Sequence, residues 1–109
     1  MLFRSRTQLW LRRLDSAAAQ PLPGTEAAAV PFWSPDSRWV AFGQDLKLKK
    51  IDIQGGPPVS ITDLTAAFGG GSWNAEGTIV FGVNGSGSPI YKVASAGGAA
   101  TAKIGRAHV

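Results

Sequence analysis

Two carboxylates, three serines, a set of basic residues and two glycine clusters are the groups in this chain whose types could do chemistry. Asp36 and Glu76 could share acid and base work, but they stand in the parallel segments Ser34-Pro35-Asp36-Ser37 and Asn74-Ala75-Glu76-Gly77. They read as one turn in two copies of a repeat, too far apart to pass a proton between them, and a polar turn accounts for both. Ser34, Ser37 and Ser86 lack the glycine spacing of a nucleophile elbow, and the only histidine, His108, is the next-to-last residue and offers no credible base. Hydrolase chemistry therefore has no support. Gly69-Gly70-Gly71 and Gly82-Val83-Asn84-Gly85-Ser86-Gly87 match neither the phosphate loop with its lysine nor the dinucleotide fingerprint opening a helix, and both read as turns. Asn84-Gly85-Ser86 fits the glycosylation triplet, a pattern common by chance. With no cysteine, no thiolate or disulfide exists and no set of metal ligands can be assembled. The sequence thus predicts no catalytic, cofactor-binding or metal site and no cofactor.

Binding residues remain. Arg12 and Arg13, with Lys47, Lys49 and Lys50, form a repeated basic strand that could meet phosphate, although lysines that keep an outer strand from edge pairing are the ordinary explanation. Trp33 and Trp73 fall at equivalent places in two repeats, which predicts that each anchors one repeat unit on the next. Trp10 and Trp39 occur in one copy each and are the better candidates for contact with a partner.

The elements that position these residues repeat along the chain. Leu9-Trp10-Leu11-Arg12-Arg13-Leu14-Asp15 aligns with Leu46-Lys47-Leu48-Lys49-Lys50-Ile51-Asp52 at an offset of 37, and Pro89-Ile90-Tyr91-Lys92-Val93-Ala94 aligns with the latter at 42. Between them, Phe32-Trp33-Ser34-Pro35-Asp36-Ser37-Arg38-Trp39-Val40-Ala41-Phe42 aligns with Ser72-Trp73-Asn74-Ala75-Glu76-Gly77-Thr78-Ile79-Val80-Phe81 once one residue is removed from the turn. Each copy reads as a strand, a polar turn and a β-branched, aromatic-rich strand, which is a hairpin. Four short antiparallel strands every ~40 residues is the pattern of β-propeller blades. The predicted fold class is all-β, with antiparallel four-stranded blades in an incomplete set.

Composition agrees. Apolar residues make up 44% of 109 and charged residues 17%, enough for a core and too little charge for disorder. Fourteen glycines and seven prolines punctuate many short strands. No apolar run is long enough to span a membrane as a helix. The formal charge of +4 would raise nucleic acid as a partner, but Ile104-Gly105-Arg106-Ala107-His108-Val109 and Met1-Leu2-Phe3-Arg4-Ser5 read as translated sequencing adapter. Removing Arg4 and Arg106 from the eleven basic residues leaves nine against seven acidic, so no nucleic-acid partner is expected. The expected organisation is 1–5 adapter-derived, 6–26 the outer half of a preceding blade, 27–66 blade one, 67–103 blade two and 104–109 adapter-derived.

Trp33-Ser34-Pro35-Asp36-Ser37-Arg38-Trp39-Val40-Ala41-Phe42 resembles the repeat element of TolB-type, WD40-like propellers, with serine in place of the usual glycine at position 37. The wider wording, including Gln20-Pro21-Leu22-Pro23-Gly24-Thr25 and Leu48-Lys49-Lys50-Ile51-Asp52, resembles the propeller region attached to bacterial serine/threonine protein kinases. The resemblance implies a non-catalytic scaffold for protein interaction or ligand sensing on the extracytoplasmic side, binding a protein or small molecule through the complete propeller. No kinase motif is present, so the chain itself is not expected to be an enzyme. The alternative is the propeller portion of a prolyl-oligopeptidase-like serine hydrolase. Two blades and a half leave both end faces open, which predicts self-association.

Overall fold

The computed structural model describes residues 2–5 by their backbone, and residues 8–12, 18–85 and 89–102 in full. Arg13, the Asp15-Ser16 turn, Ser86, Gly87 and residues 104–109 lie outside the described residues. Every regular element among those described is a strand: β1 (Leu2–Ser5), β2 (Gln8–Arg12), β3 (Ala19–Pro21), β4 (Ala29–Trp33), β5 (Trp39–Gln44), β6 (Lys47–Asp52), β7 (Val59–Asp63), β8 (Phe68–Trp73), β9 (Thr78–Val83), β10 (Tyr91–Ala94) and β11 (Thr101–Ala102). They form three antiparallel sheets in chain order, one of three strands (β1–β3) and two of four (β4–β7 and β8–β11). The all-β class and the antiparallel four-stranded units read from the sequence are what the chain has. Residues 2–5, set apart from the fold above, pair with β2 from Leu2↔Leu11 to Ser5↔Gln8.

The second sheet shows why its strands read as almost continuously apolar. Val40, Ala41 and Phe42 are all completely buried, because alternate side chains leave opposite faces and both faces are covered. Val40, Phe42, Ile51 and Ala28 meet Leu9 and Leu22 of the first sheet, with Trp33 and Leu11 at the margin. From the other face, Ala41, Leu48 and Ile61 meet Phe68, Ile79, Phe81 and Val93 of the third sheet, with Phe32 and Trp73 packed against them. The same repeat positions build both layers. Val40, Phe42, Ile51 and Trp33 cover the first sheet as Ile79, Phe81, Val93 and Trp73 cover the second.

Two details set the spacing of the sheets. Phe68 stacks on Phe32 with ring centroids 5.9 Å apart, then leans on Phe81 at 6.2 Å, which stacks on Tyr91 at 5.5 Å. Gly43 lies directly beneath Phe68, and a Cβ there would overlap the Phe68 Cβ. Between the first two sheets, completely buried Thr25 accepts from Leu9 N–H at 2.9 Å and donates to Leu22 O at 2.6 Å, so its hydroxyl is satisfied in both senses.

The repeat also departs from the sequence alignment. Leu9 is completely buried in β2, whereas its aligned residue Leu46 is 58% exposed in the β5–β6 turn. Asp45 and Leu46 both have positive φ, +55° and +57°, as a two-residue type I′ hairpin requires. The matching letters therefore mark a strand in one place and a turn in the other.

Candidate functional site

The two aligned hairpin turns superimpose in their hydrogen bonds. In β4–β5, Ser34 N–H donates to Trp39 O at 2.9 Å and Ser37 N–H to Ser34 O at 3.0 Å. In β8–β9, Asn74 N–H donates to Thr78 O at 2.9 Å and Gly77 N–H to Asn74 O at 3.1 Å. Ser37 and Gly77 share positive φ, +61° and +83°. Arg38 is thus the extra residue of the first turn, and the side chains adapt to it. Asn74 Oδ1 accepts from both Glu76 N–H (3.0 Å) and Thr78 N–H (2.9 Å). In the longer turn the work is divided: Ser34 Oγ accepts from Trp39 N–H at 3.0 Å and donates to Asp36, while Asp36 accepts from Arg38 N–H at 3.1 Å.

That geometry decides what Ser34 and Asp36 can do. The Ser34 hydroxyl donates a hydrogen bond to the Asp36 carboxylate and accepts one from a backbone N–H, and the residue is almost wholly buried. The Ser34 hydroxyl first, and then the Arg38 N–H, hold the Asp36 carboxyl below its ordinary pKa. A carboxylate stabilised as the anion is a poor proton donor. Asp52 is likewise held below the ordinary value, first by Gln54 N–H and then by the Arg38 guanidinium, whose Nη2 lies 3.0 Å away.

Around these turns the second and third sheets leave a cleft of about 540 Å³, walled by Ser34, Pro35, Asp36, Trp39 and Lys50 on one side and Trp73, Asn74, Ala75, Gly77 and Ser95 on the other. Lys50 crosses it. Its Nζ sits 4.8 Å from the centroid of Trp39 and donates to Ser95 O at 2.8 Å, while the Arg38 guanidinium approaches the same indole at 5.9 Å. The cleft therefore carries one carboxylate, one ammonium, an amide and two indoles.

The sequence-named residues are distributed as follows. Trp33 and Trp73 are half-buried at equivalent places against the two cores, as anchors between sheets. Trp39 is half-buried in the cleft, and Trp10 is half-buried on the face of β2 opposite Leu9 and Leu11. Asp36 enters the cleft beside Asn74 and Ala75, while Glu76 is an exposed turn residue. The lysines do not form one basic face. Lys47 pairs with Asp63 at 2.7 Å and Lys49 donates to Gln44 Oε1 at 2.8 Å, whereas Lys50 points from the other face of β6 into the cleft. Exposed Arg12 also has interactions of its own within the fold. Gly69 to Gly71 lie within β8, not in a turn, and Gly71 permits close approach, since a Cβ there would stand 2.8 Å from Val80 O. Gly82 lies in β9.

Sequence reasoning missed Gln44 and the crossing role of Lys50. Gln44 Nε2 donates to Gly24 O (3.0 Å) and Glu26 O (2.6 Å), fastening the approach to β4. Both are pairings between distant segments, for which no local pattern exists. A second groove of about 550 Å³ runs between β7 and β10, floored by Ile61, Leu64, Phe81, Val83 and Tyr91; its one carboxylate, Asp63, is already paired with Lys47. Among the described residues no group of three or more His, Cys, Asp or Glu could hold a metal ion, and no helix is long and apolar enough to cross a membrane. Comparison with protein-family models, curated proteins and solved structures returns no match for this chain.

Proposed function

We propose that this chain is a stretch of a TolB-type, WD40-like β-propeller and that it serves as a non-catalytic scaffold, binding a protein or small-molecule partner at the cleft between the β4–β5 and β8–β9 turns. One observation carries the scaffold reading: both layers between sheets are built from the same repeat positions, with Trp33 and Trp73, Phe42 and Phe81, and Val40 and Ile79 in matching places. Support for binding rather than turnover comes from the hydrogen-bonded, almost wholly buried Ser34 hydroxyl, the anionic Asp36 and the indoles of Trp39 and Trp73 that line the cleft. The resemblance to kinase-attached propellers extends the proposal to a sensor or interaction region of a bacterial serine/threonine kinase.

The cleft can be tested directly by screening peptides and small molecules against the chain while following the tryptophan indole N–H resonances by NMR. Binders are expected to shift Trp39 and Trp73, and to lose affinity when Lys50→Met removes the cation that bridges the cleft. Turnover of a peptide, ester or glycoside that vanishes in Asp36→Asn would overturn the reading.

A further inference from the structure

The repeat equivalence that matches the two inner layers also says what belongs on the outer face of the third sheet. In the second sheet, the face toward the third carries Ala41 and Leu48, both completely buried, and Lys50, which donates across the layer to Ser95 O at 2.8 Å. Pairing registers place the corresponding residues of the third sheet: Phe42 faces Lys49 as Phe81 faces Tyr91, and Ala41 faces Lys50 as Val80 faces Lys92. Val80, Ile90 and Lys92 therefore stand where Ala41, Leu48 and Lys50 stand. None of the three is covered as its counterpart is: Val80 is only half-buried, Ile90 is 40% exposed and Lys92 is exposed. Gly82 tells the same story, since the Cβ that would overlap Phe68 at Gly43 meets nothing nearer at Gly82 than Ile90 Cδ1, at 3.8 Å.

At the other end, the first sheet turns Leu9 and Leu11 toward the second and leaves Trp10 on its outer face, opposite Pro21. This outer face is the back of a sheet, the side by which the second and third sheets each cover the one before. The established layers run front to back in a constant sense, and continuing that sense joins the front of the third sheet to the back of a first sheet.

We infer that the Val80–Ile90–Lys92 face docks on the Trp10–Pro21 face of a second copy of this chain, head to tail, and continues between copies the layer already built within one. The interface is heterologous, with different surfaces on the two partners, so copies add in rows or close in rings instead of stopping at a symmetric dimer. It stands on the packing of the sheets and not on the cleft, so it can fail while the cleft binds, and the reverse.

Sedimentation velocity of the full chain over a range of concentrations tests it, with far-UV circular dichroism confirming an unchanged β spectrum in every variant. Wild type is expected to form species larger than a dimer as concentration rises. Ile90→Glu spoils the front and Trp10→Glu the back, and each is expected to weaken association about tenfold or more, the loss of one buried apolar side chain. Lys92→Glu and Pro21→Glu, at exposed positions, repeat the test where folding is least at risk. Mixing a front variant with a back variant restores one good interface and is expected to give a discrete dimer of one copy of each. Wild type that stays monomeric at every concentration overturns the inference. So does a Trp10→Glu or Pro21→Glu chain that associates as strongly as wild type, which would mean a symmetric front-to-front contact.

Discussion

Gly43 and Gly82 occupy the same repeat position, one residue after the matched Phe42 and Phe81, yet the structure gives alanine at the two sites opposite signs. At Gly43 the new methyl would overlap the Cβ of Phe68 and stand 3.0 Å from its Cγ. These are the root of the side chain, which no rotamer change can move, so the second and third sheets must separate to admit it. Overpacking of this kind costs about 1–3 kcal/mol. At Gly82 the nearest atom is Ile90 Cδ1 at 3.8 Å, an ordinary contact with a flexible chain end. Neither glycine is at positive φ, so alanine at Gly82 should gain about 0.4–1 kcal/mol by narrowing the unfolded ensemble. The two variants are therefore expected to differ by about 1.5–4 kcal/mol in a direction fixed in advance. Urea unfolding at low protein concentration, followed by the fluorescence of the four tryptophans, measures both, with unchanged m-values as the condition for comparison. Equal unfolding midpoints for Gly43→Ala and Gly82→Ala would refute the close approach of the sheets at Phe68.

Ser37 holds the left-handed conformation that Gly77 holds in the matching turn, so Ser37→Gly is expected to stabilise the chain by about 1 kcal/mol and raise its melting temperature. The pH dependence has a defined sign. Asp36 and Asp52 have folded-state pKa values lowered from the ordinary 3.8, so their stabilisation is complete above that value and is lost as pH falls through the lowered ones. Asp36→Asn and Asp52→Asn should each flatten the acid limb of a stability–pH curve, and an unchanged limb in the double variant would show that neither carboxylate is held as described.

How much of this was legible in the letters can be judged residue by residue. The β4–β5 and β8–β9 hairpins were, because Ser34-Pro35-Asp36-Ser37 and Asn74-Ala75-Glu76-Gly77 are turn chemistry between β-branched and aromatic runs, and both the alternation and the turn are local properties of the backbone. The anchoring roles of Trp33 and Trp73 were legible for the same reason, since a large ring recurring at one place in two repeats needs a recurring place to be buried. That the Ser34 hydroxyl is hydrogen-bonded both as donor and as acceptor was not. The Trp39 N–H it accepts has its counterpart in the Thr78 N–H that Asn74 accepts, but its bond to Asp36 depends on how the side chains of this one turn are arranged.

The sequence by itself determined the strands, their turns and their repetition, since these depend on side-chain alternation and on conformations available to a few neighbouring residues. Only the tertiary structure decided which leucine was core and which was turn, as Leu9 and Leu46 show, and which face each lysine of β6 took. It alone set Lys50 across the cleft and left Val80 only half-buried and Ile90 exposed. The physical reason is that burial belongs to a pair of surfaces: identical repeat positions become core or surface according to whether another sheet lies against them.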